Sequence, residues 1–156
     1  MLHSKIIILF INLYFIGLYA FTNDKVDLII YNINKYIKLN VEVAKTSEER
    51  SKGLMYREKL SNNEGMLFIF PFEDVIQLWM KDTYIPLDVI FISKDKKIVD
   101  IKYNMRKLSE NIIKSRVKSK YALEFNAGLI NKLNIKIGDK IFFNEKKNIK
   151  FFKNKN

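Results

Sequence analysis

Val41 and Val43 flank Glu42, and this apolar–polar alternation recurs in short runs along much of the chain. It is the period of a half-buried strand. Residues 28–33 and 36–44 read as two strands, with Asn34-Lys35 as the tight turn between them. The run Met66-Leu67-Phe68-Ile69-Phe70 predicts a buried strand that stops at Pro71. Residues 77–81 predict a further short strand, and residues 87–93 and 97–103 a hairpin turning through Lys94-Asp95-Lys96. Residues 121–126 and 140–144 supply the last strands, and residues 104–119 a polar loop with some helix.

One helix has a clear start. Thr46-Ser47-Glu48-Glu49 carries the Thr-x-x-Glu spacing of a capping box, and Gly53 stands near the expected end. Residues 127–133 predict a second short helix or turn, before a bend at Gly138-Asp139. Many short strands separated by turn signals describe a mainly β fold. The expected form is a single compact β-sandwich or partly open barrel with one or two short helices.

The N-terminal pattern differs from the rest. After a short basic end, residues 6–21 are unbroken by charge. That stretch is short of the roughly 20 apolar residues a spanning helix needs, and its length suits the core of a signal peptide. Ala20 is the candidate residue before the cut, and an uncleaved anchor is the alternative. The organisation expected is a signal or anchor over 1–21, a linker and first strands over 22–40, a β domain over 41–144 and a basic tail over 145–156. The expected location is outside the cytoplasm, in a periplasm or on the inner membrane, with membrane association through residues 6–21 if they are retained.

Composition narrows the chemistry. The 156 residues include no cysteine, which excludes disulfides, thiol nucleophiles and thiolate metal sites. The single histidine, His3, lies in the leading segment. The β domain therefore has no imidazole for acid–base work and no Ser–His or Cys–His pair. No metal or cofactor is expected. The net charge of +11 raises the question of nucleic acid. Only Arg50, Arg57, Arg106 and Arg116 among the 28 basic residues are arginine, however. Base and phosphate readers favour the arginine fork, so nucleic acid is not the expected partner.

Several ordered blocks resemble a known family. Val41-Glu42-Val43-Ala44, Thr46, Glu49-Arg50, Gly53-Leu54-Met55 and Arg57 form the first, and Gly65-Met66-Leu67-Phe68 with Phe70 the second. The third block runs from Trp79-Met80-Lys81-Asp82-Thr83 through Ile85-Pro86-Leu87-Asp88 to Ile92. Tyr121, Leu123-Glu124, Ala127-Gly128 and Ile137-Gly138-Asp139 close the pattern. Together they resemble the bacterial and archaeal family called domain of unknown function 192, over about residues 41–143. The resemblance implies a compact, mainly β fold, frequently behind a signal peptide or anchor, and no established activity. Asp82 departs from the asparagine more usual before Thr83 in that pattern.

The candidate site residues are charged or aromatic groups in apolar surroundings. Arg50 and Arg57 lie on or just after the capped helix, seven apart, so two turns place them near one face. They could grip an anion or pin loops. Trp79 and Lys81 alternate along a predicted strand end and could floor a pocket, with Asp82 and Thr83 beside them. Asp88 shares a face with Ile90 and Ile92, so its carboxylate must be hydrogen-bonded or paired. Glu124 has the same character. A close pair of Asp88 and Glu124 could hydrolyse a glycoside or hold calcium, and both could equally be internal braces. The expectation is a non-catalytic module of the cell envelope that binds a small ligand or an envelope protein. Its site would draw on Arg50, Arg57, Trp79, Lys81, Asp82, Thr83, Asp88 and Glu124. A hydrolase using Asp88 and Glu124, or a structural protein without a ligand, are the alternatives.

Overall fold

Alternating burial along the first hairpin sets the register of the whole sheet. Strand β1 (Lys25–Asn32) pairs antiparallel with β2 (Lys35–Ala44), from Lys25 opposite Glu42 to Asn32 opposite Lys35. The computed structural model describes residues 24–33 and 35–144. The expected signal or anchor, the basic tail and part of the first turn lie outside the described residues.

The helix starts as its sequence predicts. The Thr46 hydroxyl accepts the Glu49 N–H at 3.1 Å, and the Glu49 carboxylate accepts the N–H groups of Thr46 at 2.8 Å and Lys45 at 2.6 Å. The Thr46 N–H, more than any other influence, holds the Glu49 carboxyl below the usual carboxylate range. These bonds open α1 (Ser47–Lys52), which buries none of its own residues and ends at Gly53 with φ of 48°. The chain returns as β3 (Glu64–Asp74), parallel to β2, with Val41 opposite Gly65 and Ala44 opposite Phe68. A parallel pair needs such a crossover.

The remaining elements are β4 (Gln77–Leu78), β5 (Leu87–Ile92), β6 (Ile98–Met105), β7 (Ile113–Lys114), β8 (Ser119–Asn126), α2 (Leu129–Leu133) and β9 (Lys140–Phe143). The main sheet has the order β6-β5-β8-β3-β2-β1-β9, while β4 and β7 make a two-stranded ribbon. The sheet is mixed and curls without closing into a barrel. Its outer strands approach at one bridge, Lys97 to Lys140. The mainly β fold with short helices expected from the pattern is thus the fold observed.

Each face of the sheet carries its own core. Leu28, Ile30, Leu39, Leu67, Ile90 and Leu123 pack together with Leu129 and Ile130 of α2. On the opposite face Ala44, Met66, Phe68, Val89, Phe91 and Ala122 are covered by Leu54, Ile76, Met80, Ile85 and Ile113. Burying each large aliphatic side chain stabilises the fold by roughly 1.5–3 kcal/mol.

Three local expectations are corrected. Pro71 does not end β3, because the ladder with β8 shifts register between Ile69 and Asp74. A residue without an N–H is tolerated at such an irregularity, and its carbonyl accepts Lys120 Nζ at 2.7 Å. The strand expected over 77–81 ends at Leu78. There the Met80 N–H bonds to Ser109 O, and the Thr83 N–H turns back to Met80 O. Residues 104–119 carry β7 and no helix. They are fastened through Arg116, whose backbone N–H and Nε reach the fully buried Asp100 at 2.8 and 2.7 Å, with Nη2 at 2.6 Å. Burial opposes charge on Asp100, but Arg116 and Lys102 together hold its carboxyl below the usual range.

Candidate functional site

Strand β8 lies between β5 and β3, so its alternate side chains serve two different interiors. Glu124 stands opposite Met66 of β3 and Val89 of β5. Directly opposed residues share a face, which places Glu124 on the side roofed by the segment after α1. Gly65 allows the close approach of β3 here, since a Cβ at that position would fall 2.4 Å from Glu124 O.

Glu124 is 5% exposed, and no hydrogen bond or ion pair reaches its side chain from the described residues. Burial alone pushes its pKa up to about 8. Removing a carboxyl from water without a charged partner favours its neutral form, so Glu124 is mostly protonated near neutral pH.

The carboxyl borders a cavity of about 230 Å³. Arg50, Thr83, Trp79, Phe68 and Phe70 also line it, with Gln77, Ser47 and Ser51 nearer the outside. The last turn of α1 presents Arg50, and Nη1 donates to the carbonyls of Lys45 and Ile69, the latter at 3.0 Å. Its guanidinium carbon lies 5.0 Å from the centre of the Phe70 ring. Arg50 and Glu124 border one cavity without forming an ion pair. Thr83 is buried and its hydroxyl donates to Lys81 O at 3.1 Å, leaving its oxygen able to accept.

Of the predicted site residues, Arg50, Trp79, Thr83 and Glu124 therefore meet. Lys81 is held outside, its Nζ 5.4 Å from the centre of the Trp79 ring. The expected strand alternation of Trp79 and Lys81 is lost in the turn. Asp82, at φ of 50°, accepts the Tyr56 hydroxyl at 3.1 Å, while its carbonyl accepts the Tyr56 N–H at 2.8 Å.

Arg57 does not join Arg50. The helix ends at Lys52, so the helical spacing fails, and Arg57 forms a fork with Glu42 at 2.6 Å on both sides. The Glu42 contact raises the Arg57 pKa above its usual value.

Asp88 faces the other way. It lies opposite Phe125, on the face away from Glu124. Its Oδ1 accepts the Asn104 N–H at 2.8 Å and its Oδ2 accepts the Ile130 N–H at 3.0 Å, capping α2. The two carboxyls do not form the pair that glycoside hydrolysis or a shared cation requires. Sequence reasoning passed over Phe68 and Phe70 as cavity walls, although they repeat with Met66 at the period of two that marks one face.

The fold and site thus define a class: a mainly β domain with a cavity bordered by a buried, unpaired carboxyl. The chain belongs to the family called domain of unknown function 192, described as an uncharacterized ACR, whose model matches residues 29–143. It is similar to a UPF0127 protein of Pyrococcus furiosus, 29% identical over 115 residues, covering 70% of this chain and 91% of the relative. A UPF0127 protein of Pyrococcus abyssi is 29% identical over 117 residues, covering 72% and 95%. Among solved structures, a putative transcription regulator of Sinorhizobium meliloti superposes with a TM-score of 0.77 at 36% identity, covering 78% of this chain and 95% of that one. A protein of unknown function from Novosphingobium aromaticivorans superposes with a TM-score of 0.74 at 35% identity, covering 76% and 84%.

Proposed function

We propose that this chain is a non-catalytic binding module whose cavity takes a small polar ligand, acting outside the cytoplasm. The observation that carries the binding reading is Glu124, buried and unpartnered at a cavity. Its carboxyl makes no hydrogen bond to the described protein, so a ligand in the cavity can meet it. Arg50, Thr83 and the aromatic walls supply further complementary groups within the same space.

A small ligand is favoured over DNA, the reading the Sinorhizobium relative invites. Among the described residues the helices span six and five residues, too short to lie along a groove, and lysine dominates the basic residues. The extracytoplasmic half of the proposal is supported by the basic start and the uncharged stretch over 6–21.

A thermal-shift screen of small polar compounds against the wild-type chain and Glu124→Leu tests the binding reading. A compound that stabilises the wild type and not the variant supports it. If no compound shifts the wild type, or every shift is equal in the two proteins, the cavity is not a binding site. Fractionation of cells producing the full chain tests location; an uncleaved chain confined to the cytosol removes that half.

A further inference from the structure

Building on the binding reading, we propose that the ligand is a small zwitterion, its anionic group meeting Arg50 and its ammonium group meeting Glu124. Two opposite potential charges border one cavity and do not pair. Arg50 is pinned by two carbonyl contacts through Nη1 and by the Phe70 ring beneath it. Its Nε and Nη2 have no acceptor among the described residues, and they are the groups left for a ligand. Glu124 stands on a strand bonded on both sides, and no contact joins its carboxyl to the guanidinium.

A simple anion would meet Arg50 and accept the O–H of the protonated Glu124, but it would leave that carboxyl nothing to ionise against. A simple cation would satisfy Glu124 and face the fixed guanidinium. A ligand with both groups sets an opposite charge against each end and lets Glu124 ionise. Phe68, Phe70 and Trp79 supply apolar walls to the same space. The volume of about 230 Å³ is below the roughly 300–1,000 Å³ of sites for drug-sized molecules. It suits a molecule on the scale of a free amino acid.

The proton balance follows. When the ammonium group arrives, the Glu124 carboxyl ionises, its O–H proton passes to the buffer, and an ammonium–carboxylate contact forms. Binding to a mostly protonated Glu124 near neutral pH therefore releases about one proton per ligand.

Titration calorimetry on the full chain tests this, using free amino acids from glycine to phenylalanine in both enantiomers, each beside its N-acetyl and carboxamide derivatives. At least one free amino acid is expected to bind, with both of its derivatives about tenfold weaker or worse. Runs in two buffers of different ionisation enthalpy are expected to show the released proton, and Glu124→Gln to abolish its release. Arg50→Gln is expected to weaken the free amino acid and leave the carboxamide unchanged.

Equal binding of a derivative, or binding without proton release, overturns the zwitterion and leaves the binding reading standing. The same holds if no amino acid binds while another polar compound stabilises the chain through Glu124. If neither set of compounds binds, both readings fall together.

Discussion

Asp88 and Glu124 sit one register step apart on adjacent strands and face opposite sides of the sheet. Val89 is the residue opposite Glu124, and Asp88 the one opposite Phe125. One carboxyl is satisfied by the N–H groups of Asn104 and Ile130, and the other by nothing in the described protein. The same residue type in neighbouring strands thus does two unrelated things, and the two are separable by experiment.

Glu124 makes stability fall with rising pH. Its pKa is raised from 4.5 to about 8 on folding. Between those values the folded state binds more protons than the unfolded state, so its contribution is full below the lower value and lost through the upper one. From about pH 5 to about pH 8, the wild type is expected to lose on the order of a few kcal/mol relative to Glu124→Gln. Urea denaturation of both proteins at the two ends measures the difference. Parallel pH profiles would show that Glu124 is not buried as described.

Removing Asp88 damages the fold and not the cavity. Asp88→Ala leaves the Asn104 and Ile130 N–H groups without their acceptor, at about 1–3 kcal/mol for each. Chemical denaturation should show a loss of about 2–5 kcal/mol, with the binding of any cavity ligand unchanged at a temperature where the variant is folded. A loss of binding by the folded variant would return Asp88 to the site.

Arg57 and Glu42 should be coupled to each other, and Arg57 not to Arg50. A double-mutant cycle of Arg57→Ala and Glu42→Ala is expected to give an interaction of about 1–3 kcal/mol, because the pair is two-pronged and mostly shielded. The cycle between Arg57 and Arg50 should be near zero. Sizeable coupling there would restore the joint arginine grip.

Two glycines separate steric from conformational cost. Gly65→Ala forces a Cβ to 2.4 Å from the backbone oxygen of Glu124 and should destabilise by about 3 kcal/mol or more. At Gly138, with φ of 96° and nothing within 4 Å of the added carbon, alanine meets only backbone strain. About 1–2 kcal/mol is expected there. Thermal unfolding of the two variants should rank them clearly, and a reversed rank would contradict the β3–β8 approach.

Much of the fold was legible because it is written in nearest-neighbour chemistry. Alternation around Glu42 marked β2, the Thr46–Glu49 spacing marked α1, and an apolar setting marked Asp88 and Glu124 as carboxyls needing an explanation. What separates those two is register across three strands, and register is settled by long-range pairing. The Arg57–Glu42 fork has the same origin, since the crossover brings back together what the sequence separates. The break after Leu78 had a faint signal in Asp82, a residue type that tolerates the left-handed region. The extension of β3 past Pro71 had none, because only the slipped ladder with β8 makes room for it.

Helix α1 contributes no buried side chain, and this gives the two sides of the cavity different rigidity. Glu124 sits in a ladder bonded on both flanks, and its amide exchanges with solvent only when the sheet comes apart. Arg50 rides on six residues held by a capping box and two carbonyl contacts. Helices with few buried contacts exchange their amides ahead of central strands. The two sides of the cavity should therefore differ in amide exchange, the α1 side ahead of the strand that carries Glu124.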